Sequence, residues 1–138
     1  MRKRKNSQIV VKESDFLRLE DLIKRNSQLE AAEYLEDELS RAAIVPDNKI
    51  PKNVVCLNSL VTYVDIDSKA ETKVTLVMPW QADVSQARVS ILSPIGTALI
   101  GLKKEGYIEW PLPNGAIKKI EIVHVEQHAE PQDTQLNI

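Results

Sequence analysis

Residues 89–106, VSILSPIGTALIGLKKEG, constrain the fold more than any other part of the chain. A strand-like run, Val89 to Leu92, breaks at Ser93-Pro94 into a short helical stretch. In it, Ile95, Ala98, Leu99, Ile100 and Leu102 cover more than one stripe. A surface helix shows a single apolar stripe, so a helix apolar on several sides has to be enclosed by other structure. Ser93 is a favourable N-cap, and Pro94 suits the first helical turn, where its missing N–H costs nothing. Gly101 or Gly106 can end the helix in a left-handed conformation. Gly96, Thr97 and Ala98 are small enough for another backbone to approach closely. The stretch therefore predicts one short helix wrapped by a curved sheet. A phosphate cradle is excluded: no GxxxxGK[ST] pattern is present, and the Gly96–Gly101 spacing fits no dinucleotide fingerprint.

The sheet that could enclose such a helix lies on both sides of it in the chain. Leu60 to Ile66 alternates with period two, and Lys73 to Met78 reads as a second strand, with the turn at Asp67 to Ala70. Val89 to Leu92, Tyr107 to Leu112 and Ile117 to Val125 complete about five strands. Pro113-Asn114-Gly115 predicts a hairpin between the last two, since Asn and Gly tolerate positive φ. The class is α+β with an antiparallel sheet.

Upstream of the polar connector PDNKIP, Pro46 to Pro51, the period is helical. Ser14 or Asp15 can cap a first helix carrying Phe16, Leu19, Leu22 and Ile23. Ser27 with Glu30 reads as a capping box for a second helix, roughly Gln28 to Ile44. Ala32, Leu35, Leu39 and Ala42 form a narrow seam on that helix, of the kind that pairs two antiparallel helices. Charge is segregated here. Residues 1–12 carry Arg2, Lys3, Arg4, Lys5 and Lys12 without an acid, a net of +5, whereas residues 13–45 hold nine acids against four bases. The basic arm reads as solvated and mobile, as short charge runs usually are.

Composition narrows the chemistry. A secretory signal needs an apolar core more than twice as long as Ile9 to Val11, and no run approaches a membrane span, so a cytoplasmic, membrane-free protein is expected. The single cysteine, Cys56, sits among apolar neighbours and reads as a core residue. His124 and His128 stand four apart on a strand and its tail and do not converge on a metal. His124 shares a face with Ile120 and Ile122 and reads as half-buried. Trp80, in PWQADVSQ, reads as a lid over the sheet, with Gln81 and Asp83 exposed beside it.

The string SPIGTALIG, a Lys-rich bend, Gly106, a strand, the Pro-Asn-Gly turn and IKKIEIVHVE together resemble the C-terminal domain of bacterial Gre-type transcription elongation factors. The likeness extends back through KVTLVMP and VVCLNSLVTYVDID, covering about residues 53–126. A short hairpin followed by LEDELSRAAIVPDNKIPKNVVCLNS resembles the Rnk branch of that family, the regulators of nucleoside diphosphate kinase. Two positions depart from the family pattern. Tyr107 stands where an acid usually follows the glycine of the bend, and Leu92 stands where relatives often carry a polar or acidic residue.

The resemblance implies an FKBP-like sheet on one short helix. It divides the chain into a basic arm (1–12), a helical hairpin (13–46), the sheet domain (47–127) and a polar tail (128–138). It also implies a monomeric regulator that binds RNA polymerase near the secondary channel and competes with Gre-type factors there. Contact with DNA or RNA would come only through the polymerase. The partner-binding corner would be Ser93, Pro94 and Ile95. Longer relatives help hold a second Mg²⁺ with acids at the hairpin tip, and two-metal hydrolysis needs carboxylates at that point. Here the tip is Lys24-Arg25-Asn26-Ser27, with Asp21 and Glu30 about one turn back. A non-enzymatic protein without cofactor or metal is therefore expected. The alternatives are a factor that assists transcript cleavage and an effector of nucleoside diphosphate kinase.

Overall fold

The computed structural model describes residues 4–5, 8–111 and 114–128. The elements follow in the order β1 (Arg4–Lys5), β2 (Val10–Lys12), α1 (Glu13–Arg25), α2 (Glu30–Ser40), β3 (Ala43–Val45), β4 (Leu60–Asp65), β5 (Glu71–Val77), β6 (Arg88–Ser90), α3 (Pro94–Leu99), β7 (Tyr107–Pro111) and β8 (Ile117–Glu126). The class is α+β, with a helical N-terminal part and one larger sheet in the order β1-β7-β8-β4-β5-β6.

α3 is enclosed, as its composition requires. Ala98 and Leu99 have no exposed surface, nor have Ile100 and Leu102 just beyond the helix. Its packing depends on two glycines. A Cβ on Gly96 would lie 2.0 Å from the Ser90 carbonyl oxygen, so the helix crosses the end of β6 with backbone against backbone. Gly101 ends the helix at φ 80°, donates its N–H to the Val55 carbonyl and accepts from Val10 N–H.

The expectation of a wholly antiparallel sheet is corrected at one edge. β5 and β6 are parallel, from Thr75 opposite Arg88 to Val77 opposite Ser90. Two single-turn 3₁₀ segments, Pro79–Gln81 and Val84–Gln86, and Ala87 at φ 56° bring the chain back beside β5. β6 therefore starts in the direction β5 took. The other pairs are antiparallel, with a bulge between Thr62 and Tyr63 opposite β8.

Three further expectations change at the N-terminal end. Within the arm expected to be solvated, Arg4–Lys5 pairs with β7, and Ile9 and Val11 are buried. The second helix ends at Ser40, and Ala43–Val45 pairs in parallel with β2. The expected caps also differ. Asp47 Oδ1 accepts the Ser14 N–H at 2.9 Å, so the connector supplies the polar partner for the start of α1. α2 begins at Leu29 without a side-chain cap. Of the expected seam, Ala32, Leu35 and Leu39 are buried on α2, whereas Ala42 lies beyond its end and is half-buried.

The core does not stop at the connector. Leu19, Leu22, Leu35 and Leu39 belong to one apolar cluster with Leu99, Ile100, Ile108 and Ile122, and α3 lies against α2. Hydrophobic burial is the dominant favourable term in folding, so a shared cluster makes the two parts stabilise each other. The turn after β7 is described from Asn114 onward. Asn114 Oδ1 accepts the Ala116 N–H, and Gly115 takes φ 89°. Pro113 and residues 129–138 of the expected tail lie outside the described residues.

Candidate functional site

The corner where β6 turns into α3 is built from overlapping hydrogen bonds. Ser93 Oγ accepts the Gly96 N–H at 3.1 Å and donates to the Ser90 carbonyl at 2.7 Å. Ser90 Oγ accepts the Leu92 N–H at 2.9 Å, and the buried Thr97 hydroxyl donates to the Ile91 carbonyl at 2.7 Å. Each short polar side chain here meets a backbone group that the strand-to-helix change leaves over, which satisfies groups otherwise costly to bury. The three residues expected to touch a partner are thereby separated in kind. Ser93 is half-buried and occupied as the cap, Pro94 is exposed at the first helical position, and Ile95 is half-buried against the apolar cluster. The corner leaves Pro94 exposed between a capping serine and a half-buried isoleucine.

At the other end, the helical hairpin is short. α1 has 13 residues and α2 has 11, which is about 20 Å and 16 Å at the rise of an α-helix. Asn26 closes the turn, donating from its side chain to the Leu22 carbonyl. Both nearby acids have partners within their own helices. Asp21 pairs with Arg25 at 2.7 Å, and Glu30 accepts from the Tyr34 hydroxyl at 3.0 Å, which raises the Tyr34 pKa. Among the described residues no group of three or more His, Cys, Asp or Glu side chains is placed to hold a metal ion.

The remaining singled-out residues fall as follows. Cys56 is buried; burial first, and the neighbouring Asp15 second, push its thiol up to about 12. Its Ser59 neighbour accepts the Cys56 N–H through Oγ at 2.9 Å, a turn that fixes the segment without involving sulfur. His124 is exposed, against expectation, because the bulge opposite Thr62 shifts the alternation and puts Val125 opposite the buried Val61. Trp80 is not a lid. It is 73% exposed, while Gln81 and Asp83 are half-buried. Among the described residues no helix is long and apolar enough to cross a membrane.

Sequence reasoning offered Asp15 only as a helix cap and missed its burial. It is buried, and its Oδ2 accepts the Leu57 N–H at 3.0 Å. An acid in a first helical turn is favourable wherever it points, so nothing local marks this one as buried.

Known proteins resemble this chain in both of its parts. The family model for the C-terminal part of the GreA/GreB transcription elongation factors matches residues 50–127, and the model for the Rnk N-terminus matches residues 8–45. The chain is 32% identical over 125 residues to the regulator of nucleoside diphosphate kinase of Escherichia coli K12, covering 88% of this chain and 91% of that one. It is 40% identical over 91 residues to the transcription elongation factor GreA of Azorhizobium caulinodans, covering 66% of this chain and 57% of the relative's length. Among solved structures, a GreA/GreB transcription elongation factor from Nitrosomonas europaea matches with a TM-score of 0.72 and 39% identity, over 88% of this chain and 99% of that one.

Proposed function

Because the chain belongs to the GreA/GreB family of transcription elongation factors, with an Rnk-type N-terminus, we propose that it binds bacterial RNA polymerase near the secondary channel and has no transcript-cleavage activity of its own. It acts in the cytoplasm as a monomer, with residues 47–127 as an FKBP-like docking domain and residues 13–46 as a hairpin at the channel entrance. Contact with nucleic acid comes only through the polymerase. The regulatory effect is occlusion of the docking surface that longer Gre-type factors use.

The observation that carries this reading is the hairpin tip. A hairpin with helices of about 20 Å and 16 Å ends in Lys24-Arg25-Asn26-Ser27, and both nearby acids are engaged one turn back. A second catalytic Mg²⁺ demands oxygen ligands in near-ideal octahedral geometry, and a cationic bend does not provide them. The Pro94 corner is the proposed contact, since its backbone is fixed before any partner arrives and little freedom is lost on binding.

The direct test is a nascent-transcript cleavage assay on stalled elongation complexes. The proposal expects no cleavage from this protein alone and inhibition of cleavage driven by a Gre factor. Acceleration by this protein alone would overturn it in favour of a cleavage-assisting factor. Co-purification from cell extract checks the partner independently; recovery of nucleoside diphosphate kinase without polymerase would overturn polymerase docking.

A further inference from the structure

A cleft of about 500 Å³ opens beside the β5–β6 edge. Thr75 and Val77 of β5 line it, the Trp80 loop forms one side, and Asn58, Arg88 and His128 also face it. Its volume falls within the range of small-molecule sites, about 300–1,000 Å³. Three groups in it are unspent. The Trp80 ring is 73% exposed, and its indole N–H has no hydrogen bond among the described residues. Arg88 is exposed, and its guanidinium makes no hydrogen bond or ion pair among the described residues. The Asn58 amide is likewise without a partner among them, although its backbone is held at φ 71° with its N–H on the Leu76 carbonyl. Gln81 uses its Oε1 to accept the Met78 N–H, which leaves its amide nitrogen to donate.

The charges decide what such a cleft can take. Asp83 also lines it, but its Oδ1 already accepts the Ser85 N–H at 3.0 Å and the Ser85 hydroxyl at 2.7 Å. The Ser85 bonds first, with the Arg88 charge contributing, hold its pKa below the usual carboxylate value and keep it engaged within its own loop. The Arg88 charge also faces this carboxylate, but its guanidinium makes no hydrogen bond or ion pair among the described residues and remains the group able to fork onto an anion. An open aromatic face takes a planar ring, a guanidinium fork takes a phosphate, and side-chain amides read the edge of a base. We propose that this cleft is a nucleotide-binding site, with the base on Trp80 and the phosphate on Arg88. The site goes beyond polymerase docking and does not depend on it.

The test uses the full chain without polymerase. Titrations with adenosine diphosphate, adenosine, inorganic pyrophosphate and a single-stranded oligoadenylate are followed by calorimetry and by the indole N–H resonances of Trp80 and Trp110. Adenosine diphosphate is expected to bind saturably, shifting the Trp80 resonance and leaving Trp110 in place. Trp80→Ala and Arg88→Gln should each weaken binding tenfold or more with unchanged melting temperature, and Trp80→Phe should retain most of it. Pyrophosphate binding as tightly as the diphosphate would overturn the role of the base. Adenosine binding as tightly would overturn the role of the phosphate. A nucleotide within a strand presents the same chemistry, so oligoadenylate binding without the free diphosphate would overturn a mononucleotide site. Silence toward all four probes would overturn the proposal outright.

Discussion

Asp15 in the first turn of α1 and Leu57 in the loop before β4 are 42 residues apart, yet the Asp15 carboxylate accepts the Leu57 N–H at 3.0 Å with both residues buried. The bond crosses from the helical part to the sheet part. It sits beside two other crossings, Ser14 N–H to Asp47 Oδ1 and Val10 N–H to the Gly101 carbonyl. The helical hairpin is therefore fastened to the sheet by polar groups as well as by the common apolar cluster, and its direction relative to the Pro94 corner is fixed. The hairpin and the sheet part are thereby held as one body.

Asp15→Ala removes the acceptor and leaves the Leu57 N–H buried without it. An unsatisfied buried group costs about 1–3 kcal/mol, more where a charged partner is lost. Asp15→Asn keeps an oxygen of similar reach and should recover part of that stability. Urea unfolding of both variants checks this. An Asp15→Ala midpoint equal to wild type would mean that the bond is replaced by water at no cost.

Leu99→Ala in α3 and Leu35→Ala in α2 should each destabilise by about 2–5 kcal/mol, the range for truncating a buried leucine. The shared cluster adds a sharper expectation: both variants should unfold in a single transition, with helical and tryptophan signals coinciding. Leu35→Asp should likewise unfold the whole chain. Two separated transitions would instead divide the molecule at Pro46–Pro51, as its sequence alone suggests.

Three glycine-to-alanine substitutions separate steric from conformational cost. At Gly115 the φ of 89° is unfavourable but nothing among the described residues lies within 4 Å, so the loss should be about 1–2 kcal/mol. At Gly96 the new methyl would meet the Ser90 carbonyl at 2.0 Å, and backbone cannot move aside as a flexible side chain can. Overpacking of this kind typically costs about 1–3 kcal/mol and sometimes more, so Gly96→Ala should be the more damaging of the two. Gly101→Ala combines φ 80° with a contact of 2.7 Å to Ile9 Cβ and should loosen β2 from the sheet part. Hydrogen exchange of the Val10 amide reads that loosening directly.

Cys56 gives the fold an alkaline limit. Its thiol is raised from 9.0 to about 12 in the folded state, so the fold favours the neutral form. The resulting stability is fully present below pH 9.0 and is lost as pH rises toward about 12, because the unfolded chain gains by ionising first. Relative to Cys56→Ala, the wild type should lose up to about 1.4 kcal/mol per pH unit across that window. A difference between the two proteins that is flat with pH would show that the thiol ionises as easily in the fold. At neutral pH a thiol reagent should label Cys56 only at the rate of unfolding.

How much was legible in the sequence follows the range of the interactions. α3 was readable because its signals are local: Ser93 caps it, Pro94 starts it, and an all-round apolar composition demands enclosure. The hairpin seam was readable from spacing for the same reason. The end of α2 was not, since Ala42 to Val45 is apolar in either a helix or a short strand, and its pairing with Val10–Lys12 is set by distant residues. Trp80 was misjudged because a loop has no period from which to infer a buried face. The parallel β5–β6 pair depends on the path of that same loop. At the candidate corner, the cap role of Ser93 and the first-turn place of Pro94 were legible, but the packing of Ile95 against the apolar cluster needed the geometry.

That difference shapes the functional test. Ile95→Asp would place a charge against the apolar cluster and lower stability, so any loss of activity would be ambiguous. Pro94→Glu is the cleaner variant: Pro94 is exposed at the first helical position, where a negative charge is tolerated or mildly favourable. If Pro94 lies at the centre of a polymerase contact, a glutamate there is desolvated without a partner and should weaken binding by several kcal/mol at unchanged melting temperature. The unmodified protein should inhibit Gre-dependent cleavage, and excess cleavage factor should relieve that inhibition, because both are proposed to occupy one surface. Pro94→Glu should abolish the inhibition. Arg25→Asp combined with Asn26→Glu supplies acids at the tip, yet the proposed reading expects no cleavage from it, because helices of about 20 Å and 16 Å are proposed to be too short to reach the catalytic metal. Cleaved transcript is measured for each variant at several concentrations of cleavage factor. Inhibition that survives Pro94→Glu would move the contact away from this corner, and cleavage from the double variant would show that the hairpin reaches the metal after all.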